Sequence, residues 1–141
     1  MLIKQISIFV ENKAGRLAKI VETLGNNNID ISALSIADAT DFGVLRLIVD
    51  KPELAVDVLK QTGVTVKITD VIAAALDHQP GGLSKVLDVL ANADISVEYI
   101  YAFEGKKSGK ALMVVKTEDM EKSVELFKEN GIEITDISDI Y

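Results

Sequence analysis

Apolar residues recur along the chain either at every second position or at a spacing of three and four positions, and these two spacings predict its strands and helices. Ile6, Ile8 and Val10 alternate with other residues, which is typical of a strand buried on one face. The following apolar residues are spaced by three and four positions, which predicts an amphipathic helix with one apolar stripe, formed by Leu17, Ile20, Val21 and Leu24.

Three further elements complete the first half of the chain. Residues 29–37 and 43–50 are β-rich, and the polar segment 38–41 between them is predicted to be a hairpin loop. Pro52 suits the first turn of a second helix, which Gly63 ends. Alternation over Val64, Val66 and Ile68 then predicts a last strand.

The second half of the chain repeats the first at an offset of 66 residues. Identical residues at this offset include Gly15 and Gly81, Leu17 and Leu83, Lys19 and Lys85, Leu24 and Leu90, Asn26 and Asn92, Ile29 and Ile95, Gly43 and Gly109, and Val49 and Val115. The offset becomes 68 at Gly63 and Gly131, which predicts a two-residue length difference in the second helix of each copy. The second copy contains predicted strands at 71–76, 95–103, 110–116 and 132–137, with a loop at 104–108.

Each copy therefore has the order βαββαβ, which predicts an α+β fold of two ferredoxin-like sandwiches with antiparallel sheets. Two helices are expected on one face of each sheet, with the other face open. The predicted domains are residues 1–70 and 71–141. Because only Thr69 and Asp70 separate the last strand of one copy from the first of the next, we expect the copies to pack together.

Composition narrows the function classes. The 141 residues include 15 basic and 22 acidic residues, so the net charge is −7 and no nucleic-acid partner is expected. The absence of cysteine excludes disulfides, thiol catalysis and cysteine-bound metals, and it fits a reducing cytoplasm. The start of the chain has no export-signal pattern, and the longest apolar run, residues 71–76, is too short to cross a membrane. A soluble cytoplasmic protein without a membrane partner is expected.

The turn between the first strand and the first helix carries the main candidate chemistry. Residues 11–17 and their equivalents 77–83 place a glycine just before a helix start in each copy. Free N–H groups at a helix start attract a carboxylate, and glycine lets a ligand approach the main chain closely. The Asn12 amide could orient such a ligand. The alternative is an ordinary turn in which Asn or Asp caps the helix.

Residues 11–17 and 78–83 resemble the acid/Asn-x-Pro-Gly-x-Leu signature of ACT domains, which are small-molecule-binding regulatory modules of amino-acid metabolism. The segments 28–31 and 94–97 resemble the family's asparagine–isoleucine entry to the second strand. The resemblance spans essentially the whole chain, twice. It implies a tandem ACT protein that binds an amino acid or similar metabolite at an interface between two ACT units.

The resemblance also implies the site residues. Asn12 and the backbone from Lys13 to Leu17 would hold the polar head of the ligand, and Asp30 would pair with its amine, unless Asp30 is simply a solvated carboxylate. The candidate ligand-binding residues are Asn12, Lys13, Ala14, Gly15, Arg16, Leu17, Ile29, Asp30, Ile31, His78, Pro80, Gly81, Gly82, Leu83 and Ser96. Ala14 replaces the usual proline, and His78 and Ser96 replace Asn12 and Asp30 in the second copy. This leaves open whether both copies bind or one only packs.

Other chemistry-bearing residues receive ordinary interpretations. His78 is the only histidine, so it forms no metal site or nucleophile–base pair by itself, and a surface role is expected. Tyr99, Tyr101 and Phe103 alternate on one strand face, which favours packing between sheet and helices over a ligand platform. No cofactor, metal site or catalytic motif is expected.

Three function classes follow from these observations. The leading one is a non-catalytic regulatory protein that binds an amino acid and acts on a biosynthetic enzyme partner. The second is an interaction subunit that binds no small molecule, and the third and weakest is an enzyme on a versatile fold. Open sheet edges favour a homodimer.

Overall fold

The chain folds into two compact units, residues 4–70 and residues 71–141 together with the first three. The structure is a computed structural model that describes residues 2–38, 41–103 and 109–140. Residues 39–40 of the loop predicted at 38–41, and the whole loop predicted at 104–108, lie outside these residues, while Asp38 belongs to a strand. Each unit combines an antiparallel sheet with helices on one face, so the predicted α+β fold class is confirmed.

The first unit contains β1 (Ile3–Glu11), α1 (Arg16–Asn26), β2 (Ile31–Asp38), β3 (Phe42–Val49), α2 (Pro52–Lys60) and the beginning of β4 (Val66–Asp77). Its strand order is β2-β3-β1-β4, with β3 antiparallel to both β1 and β2. The core lies between the sheet and the helices and includes Ile6, Ile8, Leu24, Leu45 and Leu59, all fully buried. Burial of each such side chain contributes about 1.5–3 kcal/mol.

The second unit repeats this arrangement with the rest of β4, α3 (Gly82–Asn92), β5 (Val97–Phe103), β6 (Lys110–Thr117), α4 (Met120–Glu129) and β7 (Glu133–Ile134). The central part of β4 pairs with β6 on one side and with β7 on the other, and β5 pairs with β6. Ile72, Leu90, Val115 and Phe127 are fully or almost fully buried in its core.

Strand pairing corrects the alignment of the two copies. In the first unit Ile6 pairs with Leu47, and in the second unit its equivalent Ile72 pairs with Val115. Leu47 and Val115 are 68 positions apart, so the offset between the copies is already 68 in β6. The two extra residues therefore lie between β5 and β6, and the predicted length difference in the second helix is wrong. The physical reason is that a hairpin loop accepts an insertion at small entropic cost, whereas an insertion in a helix rotates its buried face.

Two strand boundaries also differ from the sequence prediction. β4 continues without interruption from Val66 to Asp77, so Thr69 and Asp70 are strand residues rather than a linker. The strand predicted at 132–137 is short, Glu133–Ile134, and a 3₁₀ turn follows at Ile137–Asp139. The apolar alternation that supports a strand is broken at Asp136, the residue just before the 3₁₀ turn.

The aromatic side chains of β5 lie on the opposite face from the one expected. A bulge between Val97 and Tyr99 shifts the pairing by one residue, so Val97 and Ile100 pack on the core beneath the helices. Tyr99 and Tyr101 therefore face away from the helices, with their ring centroids 6.5 Å apart. The prediction that they pack between sheet and helices is wrong, because a bulge interrupts the period of two that the prediction assumed.

The sheet faces away from the helices are not open throughout. Gln5 and Ile48 in the first unit and Ala73 and Val114 in the second are fully buried on these faces. β4 is apolar at every position from Val71 to Leu76, which is typical of a strand buried on both faces. Conversely, Val21, predicted on the apolar stripe of α1, is 40% exposed.

Candidate functional site

The strand-to-helix turns have the same backbone geometry in both units. Gly15 precedes α1 with a φ of 84°, and Gly81 precedes α3 with a φ of 88°. This left-handed conformation costs an L-residue with a side chain about 1–2 kcal/mol, which explains the glycine in both copies. The first N–H of each helix donates within the turn, from Arg16 to the Lys13 carbonyl at 3.2 Å and from Gly82 to the Gln79 carbonyl at 3.0 Å, and neither helix start is capped by a side chain.

The helix start is closer to the preceding strand in the second unit. A Cβ on Gly82 would lie 2.1 Å from the carbonyl oxygen of Asp77, so only glycine fits there. Its equivalent in the first unit is Arg16, which is exposed. The two turns therefore share a backbone conformation but present different side chains to a ligand.

Backbone hydrogen bonds place each turn beside the β-hairpin of its own unit. The N–H of Asn12 donates to the carbonyl of Asp41 at 3.0 Å, and the N–H of His78 donates to Gly109 at 3.3 Å. The turn thus lies at the end of the sheet where β1 ends and β3 begins.

The residues just before β2 and β5, predicted as the other half of the site, are fixed by contacts that are equivalent in the two units. Asn28 and Asp94 adopt positive φ values of 55° and 57°, a conformation that asparagine and aspartate tolerate better than most residues. The N–H of Asp30 donates to Asp50 Oδ1 at 2.9 Å, and the Asp50 N–H donates back to the Asp30 carbonyl at 3.2 Å.

The second unit repeats this exchange between Ser96 and Glu118. The N–H of Ser96 donates to Glu118 Oε1 at 2.9 Å, and the Glu118 N–H donates to the Ser96 carbonyl at 3.2 Å. Both predicted strand starts are therefore fixed by a carboxylate from the residue just after the neighbouring strand.

The structure does not bring Asn12 and Asp30 of one unit together. Asn12 is bonded to Asp41 at one end of β3, and Asp30 is bonded to Asp50 at the other end. Nine residues of extended chain separate these partners, which corresponds to about 30 Å. One ligand can therefore contact a turn and a strand start only if they come from two different units.

The remaining predicted residues divide into surface and core positions. Lys13 and Ala14 are exposed on the turn, whereas Leu17 and Ile31 are partly buried against the core of the first unit. Ile29 is 5% exposed and belongs to that core. Its position supports the strand start rather than offering a contact surface.

Three predicted residues of the second copy line one cavity. His78, Pro80 and Leu83 border a space of about 430 Å³ whose other wall includes Ala111 and Met113 of β6. The cavity is mainly apolar, and it lies beside the turn on the side of the β6 strand.

Lysines beside the strand ends stabilise the charged forms of two carboxylates. Lys13 Nζ lies 3.1 Å from Glu11 Oε2, and this contact, with the nearby Arg16, lowers the pKa of Glu11. Lys110 donates to Asp77 Oδ1 at 2.6 Å and lowers the pKa of Asp77 in the same way. The acidic side chains at both turns are thus largely compensated by cations.

Two classes of site have no support in the part of the chain that the structure describes. Within residues 2–38, 41–103 and 109–140, no three His, Cys, Asp or Glu side chains are grouped as metal ligands would be. None of the described helices combines the length and hydropathy that crossing a lipid bilayer requires.

The sequence prediction missed a second kind of cavity, which lies on the other side of each helix start. In the first unit its lining includes Phe9, Lys19, Phe42 and Val64, none of which was a candidate. The identity of Lys19 and Lys85 between the copies was the one sequence signal that could have directed attention to it.

Comparison with known proteins identifies the family. The sequence matches the family model described as an ACT domain pair over residues 1–140. The crystal structure of protein BT0572 from Bacteroides thetaiotaomicron is similar at 41% identity, with 100% of this chain and 96% of that chain covered and a TM-score of 0.92. No curated protein matches this sequence.

More distant structures share the fold. The ligand-free regulatory subunit of aspartate kinase from Thermus thermophilus is 15% identical, with 92% and 93% of the two chains covered and a TM-score of 0.67. The corresponding subunit from Thermus flavus is 15% identical, with 91% and 92% covered and a TM-score of 0.63. ACT domains are regulatory modules, in agreement with the resemblance of the two turns. The chain belongs to the ACT domain pair family.

Proposed function

We propose that this protein is a non-catalytic sensor that binds a free amino acid at an interface between ACT units and signals to an enzyme of amino-acid metabolism. The alternative is an interaction subunit that regulates a biosynthetic enzyme without binding a small molecule. Both fit a family of regulatory modules, and they differ in whether the turns bind a ligand.

The separation of Asn12 from Asp30 is the observation that supports an interface site. An amino acid needs a partner for its carboxylate and another for its ammonium group. The uncapped start of α1 offers N–H groups to the carboxylate, and the exposed Asp30 offers a negative charge for the amine. Because these groups lie about 30 Å apart within a unit, the proposed site takes them from two units.

The composition of the turns favours a site built from the first copy's residues. Asp30 is replaced by Ser96 and Asn12 by His78 in the second copy. A serine hydroxyl carries no charge to pair with an ammonium group. The strongest polar contacts are therefore expected from Asn12 and Asp30.

Apolar residues on the edge strand of the first unit support a homodimer. β2 lies at the end of the strand order, and Leu34 and Ile36 on it are 53% and 48% exposed. Exposed apolar side chains on an unpaired edge are typical of a surface that another strand covers. A second copy that pairs there would bring a further unit to the site, and a ligand bound between them would favour the paired state.

A thermal-shift screen against the twenty amino acids tests the proposal. A ligand that binds only the folded state adds about 2.7 kcal/mol of stability at one hundred times its Kd. We expect a dose-dependent shift with one or a few amino acids, and its loss in Asn12→Ala and Asp30→Ala.

Asp57→Ala is the matched control, because Asp57 is an exposed carboxylate on α2, away from the turn and the strand start. It should keep the shift. The absence of a shift with every amino acid at millimolar concentration would contradict the sensor and leave the interaction subunit. Analytical ultracentrifugation with and without the active amino acid measures the dimer.

A further inference from the structure

A cavity within the first unit lies on the side of the α1 start that faces the turn after α2. It has a volume of about 230 Å³ and is bordered by the end of β1, the first turn of α1 and residues 62–65. Val10, Ile20 and Val64 form an apolar floor that continues into the core. All lining residues belong to this one unit, so the cavity needs no other unit to be complete.

The same cavity recurs in the second unit. Val10, Lys19 and Val64 correspond to Leu76, Lys85 and Ile132, which line a cavity of about 200 Å³. Recurrence at equivalent positions shows that the space follows from the fold of the unit rather than from a local irregularity. The side chains around it differ, so the two copies offer different chemistry in the same place.

The first cavity has a net positive lining. Arg16 and Lys19 both border it, and neither side chain has an ion-pair partner within the described residues 2–38, 41–103 and 109–140. The acidic member, Glu11, is paired with Lys13 at 3.1 Å, and Arg16 lies near enough to lower the pKa of Glu11 further. Two cations in the first turn of a helix are repelled by the positive end of the helix dipole. An anion in the cavity would remove this unfavourable arrangement.

Aromatic surface lies beside these cations. Phe9 and Phe42 are 50% and 49% exposed and both line the cavity. Large apolar side chains gain free energy when a ligand covers them, at about 25 cal/mol per Å² of apolar surface. The cavity thus combines an apolar wall with two positive charges.

We propose that this cavity is a second ligand site, which binds a monocarboxylate with an apolar or aromatic tail. The carboxylate contacts Lys19 and Arg16, and the tail covers Phe9 and Phe42. The net positive lining favours a monoanion over an amino-acid zwitterion, whose ammonium group would meet the same cations. This site lies within one unit, shares only Arg16 with the interface site proposed above, and does not depend on that site.

The second unit provides an internal comparison. Its cavity has Ala75 in place of Phe9 and Lys110 in place of Phe42, and Lys110 is already bound to Asp77 at 2.6 Å. Gly82 replaces Arg16, so Lys85 is the one cation of this lining on the first turn of the helix. The second cavity has lost the aromatic wall and is not expected to bind the same ligand.

The test is isothermal titration of the full chain with 3-phenylpropionate, with 3-phenylpropanamide as its neutral counterpart. We expect saturable binding of the acid with a millimolar or lower Kd and no binding of the amide. Lys19→Gln should weaken binding by at least about tenfold, since a contact to a charged group is lost. Phe42→Ala should weaken it as well through lost apolar contact.

Lys85→Gln is the matched control, because Lys85 lines the equivalent cavity of the second unit, and it should bind the acid as the unchanged protein does. Equal binding of acid and amide, equal effects of Lys19→Gln and Lys85→Gln, tighter binding of phenylalanine than of 3-phenylpropionate, or no binding of the acid would each overturn the proposal.

The two proposals fail independently in these measurements. If 3-phenylpropionate binds as expected while no amino acid stabilises the protein, the interface sensor is wrong and the second site stands. If an amino acid stabilises both the unchanged protein and Lys19→Gln while 3-phenylpropionate does not bind, the second site is wrong and the sensor stands.

Discussion

Replacement of Gly15 by alanine tests whether the left-handed turn before α1 is required by the fold. At a φ of 84°, alanine pays a backbone cost of about 1–2 kcal/mol, although nothing within 4 Å would obstruct its Cβ. The expected loss is therefore purely conformational. With a urea m value of about 2 kcal/mol/M, the unfolding midpoint should fall by about 0.5–1 M.

Gly25 is the matched control, because it lies in the same helix and also has open space around its Cβ, but no positive φ. Alanine is a better helix former than glycine by up to about 1 kcal/mol, so Gly25→Ala should raise the midpoint. Urea unfolding followed by circular dichroism compares the two variants. If Gly15→Ala were as stable as the unchanged protein, or if both variants shifted the midpoint in the same direction, the conformational argument would be refuted.

Two further predictions concern side-chain contacts in the second unit. Lys110→Met should raise the pKa of Asp77 toward its ordinary value, because the ammonium that donates at 2.6 Å is removed, and carbon-detected NMR titration of the carboxyl measures this. Because the pKa of Asp77 is lowered in the folded state, the contact stabilises the protein at a pH above the ordinary aspartate pKa, and this stabilisation is lost as the pH falls through the lowered value. If the folded-state pKa of Asp77 were the same in Lys110→Met, this reasoning would be contradicted. Thr117 and Ser123, whose buried hydroxyls are 2.7 Å apart, stand where the first unit has Val49 and Ala55. Thr117→Val and Ser123→Ala should each cost about 1 kcal/mol, but the double variant should cost less than their sum in a double-mutant cycle; additive costs would show that the hydroxyls are not coupled.

The candidate site was predictable only in part. The glycines before both helices were identifiable because a left-handed turn restricts the residue type at one position. The role of Lys19 and Phe42 was not, because these residues are 23 positions apart in the sequence and become neighbours only when β3 pairs with β1. The distance between Asn12 and Asp30 was also hidden, since it depends on which end of the sheet each segment occupies.

The sequence by itself determined the element order, the α+β class and the twofold repeat. These properties follow from local rules, because side chains alternate along a strand and recur every three to four residues along a helix. The tertiary structure alone decided the strand register, which corrected the offset between the copies, and the bulge at Val97 and Tyr99, which turned the tyrosines away from the helices. It also decided where cavities form. Register, bulges and cavities depend on hydrogen bonds and packing between residues far apart in the chain, and no local pattern encodes those.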